Sequence, residues 1–428
     1  MVSALPGCRQ KYKVAPGPVT IYNRVKGKGG MVEGLSRMKK RRKYRFPWRE
    51  GNRFELLVDG REFFSAMVES IQAAQRYVLL EMYLFESGRV ADRFIEALVA
   101  ARGRGVRVYA LLDAFGSLYL RRRDRLQLAA AGVQLAFYNP LHPLRWHRNL
   151  FRNHRKLLLV DGTVAYTGGA GIVDQFDPGI EPGRYWHEIM VAVRGPCVAD
   201  WQELFVETWE HWAKDAPSGV EPIPPEPHPE GVSGRVVVHG RPVFPSEIMR
   251  SYLRYLGRAK SHVWLATAYF VPPWKLRRAL RRAARRGIDV RLLLPGPFSD
   301  HSGVRHIGSR YYECLLRDGV RIFEYQPRFN HSKVLLCDDW LSIGSSNADR
   351  WNYRWNLEAN QELRDSSVLD RVRELFERDF AQCAEFDYEH WRVRSGFRRL
   401  REWFWGKVAA LLAWFSNLKN NRRGPRDE

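Results

Sequence analysis

Two stretches of this 428-residue chain share one spacing of chemically capable side chains, H-x-K-x-x-x-x-D: His154, Lys156 and Asp161, then His331, Lys333 and Asp338. Each of the 12 histidines would complete that pattern by accident about 0.4% of the time, which gives about one chance in twenty for a single copy. Two copies in matching contexts put coincidence on the order of one in a thousand or less. The runs that follow, Leu157-Leu158-Leu159-Val160 and Val334-Leu335-Leu336-Cys337, read as buried strands, and side chains two apart on a strand point to the same side. His154 therefore faces the same space as Lys156, and His331 the same space as Lys333. If the halves pack about a pseudo-twofold axis, the two spaces merge into one pocket with two imidazoles and two ammonium groups.

Such a set suits a phosphodiester. The lysines can neutralise non-bridging oxygens as charge builds in the transition state. One neutral imidazole can attack phosphorus to give a phospho-histidine, while its protonated partner hands a proton to the leaving alcohol and later takes one from the acceptor. This chemistry needs no metal and no cofactor, and no acidic cluster of the magnesium-binding kind stands out. A turn of small residues follows each motif, Gly168-Gly169-Ala170-Gly171 and Gly344-Ser345-Ser346-Asn347. Small residues let backbone donors approach a phosphate, and the Ser345 and Asn347 side chains can add hydrogen bonds.

The surrounding pattern predicts alternating strands and helices. Residues 54–58 read as a strand, Asp59-Gly60 as a turn, 63–76 as an amphipathic helix and 77–83 as a strand; 92–104 read as a helix closed by Gly105, and 106–112 as a strand. The second half repeats the grammar: helix 245–259, strand 262–269, helix 275–286 closed by Gly287, strand 288–294. The expected fold class is α/β, with a largely parallel sheet covered on both faces. A Pro-rich stretch separates the motif copies. The expected organisation is a basic tail (1–45), a first half (46–216), a linker (217–234), a second half (235–390) and an amphipathic C-terminal segment (391–428).

Composition narrows the partners. Seventy basic against 47 acidic residues give a net charge of +23, a surface that attracts nucleic acid or an anionic bilayer. The five cysteines show no C-x-x-C spacing, which argues for a reducing compartment and against a disulfide scaffold or zinc site. No apolar run approaches the ~20 residues of a membrane-spanning helix. The N-terminal tail reads equally as solvated or as docking on lipid head groups. At the other end, Phe397, Leu400, Phe404, Val408, Leu411, Leu412 and Phe415 recur at helical spacing beside Trp403, Trp405 and Trp414. That helix either packs on the core or lies on a membrane surface, and its basic, Trp-rich composition favours the membrane.

The motif pair, its small-residue turns and the two-half layout resemble the phospholipase D superfamily over roughly residues 46 to 390. Trp48-Arg49-Glu50-Gly51-Asn52, Ala268-Tyr269-Phe270 and Trp355-Asn356-Leu357-Glu358-Ala359-Asn360 resemble more narrowly the bacterial cardiolipin synthases, the B type especially. The resemblance implies two tandem α/β/α sandwich halves with one active site at their interface. It also implies transfer of a phosphatidyl group between lipids, with phosphatidylglycerol as donor, cardiolipin as product and glycerol released. By position it makes His154 and His331 the nucleophile and acid/base pair, with His154 favoured as nucleophile. Lys156, Lys333, Ser345 and Asn347 become phosphate ligands, and Glu188 and Glu358 the carboxylates that orient the imidazoles. Asp161 and Asp338 complete the motif and are expected to tie each strand to its turn. The implied partner is an anionic phospholipid membrane, at the cytoplasmic face of a bacterial cell and without nucleic acid; the oligomeric state stays open.

Two departures from the family pattern stand out. Gly171 occupies a position where the family usually has Asn, and the second hairpin is one residue shorter, which is expected to shift Ser345 and Asn347. Basic, apolar residues 141–151 ahead of the first motif read either as a lip for lipid entry or as a solvated loop. Hydrolysis of the same lipids shares the first half-reaction and remains the alternative, with a nuclease of the same superfamily and a non-catalytic scaffold behind it.

Overall fold

The computed structural model describes residues 44–393 except 214, 222 and 241–245. The expected N-terminal tail up to residue 43 and the amphipathic stripe from Phe397 onward lie outside the described residues. Tyr44 and Arg45, which the sequence reading placed in the tail, already pack on the body. The Arg45 amide donates to Glu247 (2.7 Å), and the Arg235 guanidinium lies 3.8 Å from the Tyr44 ring centroid.

The first half runs β1 (Arg49–Val58), α1 (Asp59–Ala73), β2 (Tyr77–Met82), α2 (Arg89–Gly103), β3 (Arg107–Asp113), α3 (Arg122–Ala130) and β4 (Gln134–Tyr138). A two-residue β5 (Arg152–Asn153), then β6 (Lys156–Val160), β7 (Val164–Gly168), β8 (Ile189–Arg194) and α4 (Cys197–Ala213) complete it. The second half has β9 (Val232–His239), α5 (Glu247–Arg258), β10 (His262–Thr267), α6 (Trp274–Arg285), β11 (Asp289–Pro295) and β12 (Arg321–Tyr325). There follow β13 (Lys333–Cys337), β14 (Trp340–Gly344), β15 (Asn356–Arg364), the helix Ser366–Phe380 and β16 (Cys383–Phe386). Gly105 and Gly287 stop α2 and α6 at φ +89° and +83°, as the left-handed ends of helices require. The turn expected at Asp59-Gly60 is instead the start of α1: Asp59, at φ +60°, makes the bend in a single residue.

All strands join one sheet in the order β16-β12-β11-β10-β13-β14-β15-β9-β1-β8-β7-β6-β2-β3-β4, with β5 paired to β15. Apart from β5 and β16 the order reads the same from either end about the β1–β9 pairing, which is the pseudo-twofold relation at the level of topology. The expectation of a largely parallel sheet needs correction. Apart from the short β5–β15 contact, only β2–β3–β4 and β10–β11–β12 are parallel, whereas β2–β6–β7–β8–β1 and β10–β13–β14–β15–β9 are antiparallel throughout. The reason is covalent: each motif strand returns through a turn of two or three residues, which can join only antiparallel neighbours.

Three apolar layers hold the halves. One lies under α1 and α2, with Phe63, Phe94 and Leu158 in it; another lies under α5 and α6, with Tyr252, Leu280 and Leu335. The third is central and shared: Trp201 and Phe205 of α4 and Val372 and Phe376 of the helix Ser366–Phe380 meet Leu157, Leu159, Val334 and Leu336 from the two motif strands. Alternate residues of each motif strand thus feed different layers, which is why both strands are apolar without alternation. Buried Trp201 also donates across the halves to Gln361 (2.8 Å). Among the described residues, no helix is long and apolar enough to cross a membrane.

Candidate active site

Two short strand contacts, one from each half, bring the motifs together. β5 pairs in parallel with the start of β15, Arg152 opposite Asn356 and Asn153 opposite Leu357, and the His154 amide donates to the Leu357 carbonyl (3.0 Å). At the symmetry-related place His187 pairs with Asn330: its amide donates to Phe329 (2.9 Å), and the His331 amide donates to His187 (2.8 Å). The segment entering each motif is therefore hydrogen-bonded to the segment of the other half that carries a glutamate.

This crossing sets the side-chain pairing. His154 Nδ1 faces Glu358 of the second half at 3.0 Å, and His331 Nδ1 faces Glu188 of the first half at 2.6 Å. Both glutamates are fully buried. With Nδ1 committed to a carboxylate, the reactive tautomer of each ring leaves its Nε2 for substrate. Lys156 and the His154 ring both lie against Tyr83, the ammonium 5.0 Å and the imidazole 4.6 Å from its ring centroid, so both face one side as the spacing predicts. Lys156 Nζ donates to the His154 carbonyl (2.6 Å). Lys333 Nζ lies 2.8 Å from His331 Nδ1 and 3.4 Å from Glu188.

Burial dominates the electrostatics. It pulls Lys156 down to about 7, with Lys333 pushing the same way and Glu358 opposing. It also pulls Lys333 below the ordinary lysine value and both histidines below the ordinary imidazole value; both lysines push each ring the same way, and His331 falls furthest because Glu358 partly holds His154 up. The two carboxylates differ. Burial lifts Glu188 to about 7. Glu358 feels the same burial, but the His154 ring, Lys156 and a hydrogen bond from Ser345 outweigh it and hold Glu358 low.

The small-residue turns add to that difference. Ser345 Oγ, expected on the phosphate, instead donates to Glu358 and accepts from the Ala359 amide (3.1 Å); its hydroxyl holds the carboxylate. The first-half counterpart, Gly169, offers no hydroxyl, and a Cβ there would sit 2.1 Å from Glu188 Oε2. Asn347 is fully buried, and its Nδ2 has no partner among the described residues, a free donor beside the pocket. Gly171, where the family pattern has Asn, packs so closely that a Cβ would come within 2.8 Å of the Leu84 carbonyl. The shorter second hairpin does not displace Ser345 or Asn347 as expected. Leu157 pairs with Thr167 and Val160 with Val164, while Val334 pairs with Ile343 and Cys337 with Trp340. The ladders correspond, and the extra residue is absorbed in the distal turn, where Gly162 takes φ +71°.

Asp161 and Asp338 are not part of this pocket. Five residues along extended chain puts them roughly 16 Å from the lysines. Asp161 accepts from the backbone amides of Gln75, Arg76 and Tyr77, each at 2.8 Å. Asp338 accepts from those of Lys260 (2.8 Å), Ser261 (3.0 Å) and His262 (3.1 Å). Each pins the end of its motif strand to the start of the neighbouring one. Burial raises the Asp338 carboxyl, but the backbone donors outweigh it and the net shift is downward. Its stabilisation is present above the ordinary aspartate range and is lost as pH falls below it. Asp338→Ala should cost about 1–3 kcal/mol of stability, read as a lower denaturant midpoint, while kcat per folded molecule stays within about twofold.

Sequence reasoning missed the aromatic walls. The His331 ring is bounded by Phe176 (5.3 Å), Trp186 (5.4 Å) and Phe329 (5.5 Å), and Tyr269, whose hydroxyl donates to Asp300, approaches at 6.4 Å. Aromatic residues at scattered positions carry no spacing signal. His187 and its partners Asp59 and Asp379 were missed for the same reason, since 128 and 192 residues separate them.

The family model described as "Cardiolipin synthase, PLD-like domain" matches residues 67–209 and 252–380, one segment over each motif. This chain belongs to that family of phospholipase D-like enzymes. Cardiolipin synthase A of Pseudomonas aeruginosa is 34% identical over 362 residues, covering 84% of this chain and 72% of that protein. Cardiolipin synthase B of Salmonella typhi is also 34% identical, over 337 residues, covering 76% of this chain and 80% of that protein. Relatives of the A and B types thus stand at equal identity. The crystal structure of phosphatidylserine synthase from Haemophilus influenzae Rd KW20 matches the fold with a TM-score of 0.66 at 14% identity, covering 84% of this chain and 93% of that one.

Proposed function

We propose that this enzyme makes cardiolipin by transferring a phosphatidyl group from one phosphatidylglycerol to another. The observation that carries the reading is the crossed pairing of His154 with Glu358 and of His331 with Glu188, which builds one two-histidine site from two halves. His154 is the nucleophile: its neutral ring donates Nδ1–H to ionised Glu358 and directs Nε2 at phosphorus. The P–O bond to glycerol breaks as the N–P bond forms. His331 donates the proton that glycerol carries away, then accepts one from the hydroxyl of the second lipid as that oxygen displaces His154. His331 must be protonated for the first step although burial and the lysines favour its neutral form; a bound phosphodiester supplies the negative charge that raises it. Lys156, Lys333 and Asn347 hold the non-bridging oxygens. The test incubates the purified chain with phosphatidylglycerol vesicles and identifies products by mass spectrometry. Cardiolipin plus glycerol is expected; phosphatidic acid alone would show a hydrolase instead.

The mouth of the site is built to meet a bilayer. Loop 114–121 rests on Tyr83, so closely that a Cβ on Gly116 would come within 2.1 Å of the Tyr83 carbonyl. Across the site, Asp300 of the loop after β11 accepts from Tyr269. On these rims Phe115, Tyr119 and Phe298 are exposed, and Leu144, in the basic, apolar segment 141–151 ahead of the first motif, is exposed to 95%. Exposed apolar side chains from both halves, flanked by Arg121, Arg122 and Arg123, suit insertion among anionic head groups. Leu144→Ser combined with Phe298→Ser should slow turnover of vesicles by at least about tenfold and leave turnover of monomeric short-chain phosphatidylglycerol within about twofold. Equal losses on both substrates would contradict the docking.

A further inference from the structure

Outside the reacting centre, His187 is a buried ionisable group held at both ring nitrogens. Its side chain is completely buried, and each ring nitrogen faces a carboxylate from a different half. Nδ1 lies 2.7 Å from Asp59 at the start of α1, and Nε2 lies 3.0 Å from Asp379 near the end of the helix Ser366–Phe380. A nitrogen without a proton would set a lone pair against a carboxylate oxygen, so this geometry needs both nitrogens as donors and the ring as a cation. The backbone of the same residue lies in the strand contact that builds the second half-site, between Phe329 and His331. Asp59 grips the next residue twice: its amide donates to the Glu188 carbonyl (2.9 Å) and its carboxylate accepts from the Glu188 amide (3.1 Å).

We infer that His187 is a positioning residue, an imidazolium clamp that joins the two halves and sets the alignment of Glu188 against His331. Its two carboxylates outweigh the cations that share them. Arg328 neutralises the outer oxygen of Asp59 (3.1 Å), and Arg378 approaches Asp379 (4.0 Å). Tyr325 stacks on the ring at 5.6 Å, and Tyr185 lies under Arg328 (4.2 Å). Burial pulls the ring down, but the hydrogen bonds and charges of Asp379 and Asp59 outweigh it and raise the ring to about 9. A cavity of about 610 Å³ bordered by Asp59, Tyr185, Arg371 and Arg378 lets solvent reach the Asp59 side. For a group raised on folding, the stabilisation is complete below the ordinary imidazole value and is lost as pH rises through the folded value. The clamp therefore holds at neutral pH and releases above about 9.

The kinetic test rests on the phosphatidyl-transfer reading; a histidine NMR titration of the full chain does not. Wild type should lose kcat on an alkaline limb near pH 9, with one buried imidazolium titrating alongside. His187→Gln should lower kcat about tenfold with KM within twofold and remove that limb, since small misplacements of reacting groups cost up to about 10²-fold. Asp379→Asn and Asp59→Asn each leave the ring one carboxylate, so the limb and the imidazolium signal should move to lower pH by about a unit. Asp370→Asn, exposed on the same helix, should move neither. Because either aspartate variant alone reads the clamp, a His187→Gln chain that fails to fold leaves the test intact. A limb and signal at wild-type pH in both aspartate variants would overturn the inference. An inactive wild type that still shows the imidazolium near 9 would instead overturn the transfer reading and leave the clamp standing.

Discussion

His154→Ala and His331→Ala should each lower cardiolipin formation by about 10⁴-fold or more, and the double variant should lose little beyond either one, because residues acting as a unit give non-additive losses. The two losses differ in kind. Without His154 no covalent intermediate forms, so neither glycerol release nor phosphatidyl transfer survives. Without His331 the nucleophile and its Glu358 partner remain, but glycerol must leave as an alkoxide. A donor with a better leaving group, such as a p-nitrophenyl phosphodiester, should therefore recover part of the first step in His331→Ala and none in His154→Ala. Purified variants assayed side by side for alcohol release and lipid product separate these outcomes. Equal rescue of both would mean that the roles are not divided between the halves.

The two glutamates should be unequal. Glu358 is held ionised by His154, Lys156 and Ser345, and it fixes the His154 tautomer that leaves Nε2 free. An amide in its place can present the wrong atom to Nδ1, and in serine proteases the comparable change costs on the order of 10⁴-fold. Glu358→Gln should lower kcat by about 10³-fold or more across pH 6–8. Glu188 stands at about 7 through burial, so below that pH the wild-type carboxyl is largely neutral and resembles the amide. Glu188→Gln should cost about tenfold at pH 8 and markedly less at pH 6. Parallel pH–kcat profiles of the two variants check this. Gly169 adds to the asymmetry, because it leaves Glu188 without the hydroxyl that Ser345 gives Glu358.

What the sequence disclosed follows from which signals are local. The repeated His/Lys spacing, the buried motif strands and the glycine stops of α2 and α6 are all set within a few residues, and the structure places them where the pattern puts them. Antiparallel strand direction was also encoded, in the short turns Asp161-Gly162-Thr163 and Asp338-Asp339, but the helix–strand alternation around them drew the reading towards a parallel sheet. The crossed pairing of glutamates was legible as residue identity, in Glu188 and in Asn356-Leu357-Glu358, but not as partnership. Only the contacts of His154 with Leu357 and of His331 with His187 show that each histidine takes its carboxylate from the opposite half. The capture of Ser345 by Glu358 depends on packing across β14 and β15, which no spacing records. The clamp of His187 between Asp59 and Asp379 joins three distant residues whose types are ordinary one by one.

The central claim is that two halves form one site in which His154 carries the phosphatidyl group and His331 moves the proton. Its most direct test is rapid alkaline quench of the purified chain during turnover of phosphatidylglycerol, followed by peptide mass spectrometry. The expected result is a phosphatidyl adduct on the peptide containing His154, present in wild type, more abundant in His331→Asn when a donor with a good leaving group is used, and absent in His154→Asn. An adduct that persists on the His331 peptide in His154→Asn, or turnover by that variant with no adduct at all, would contradict it.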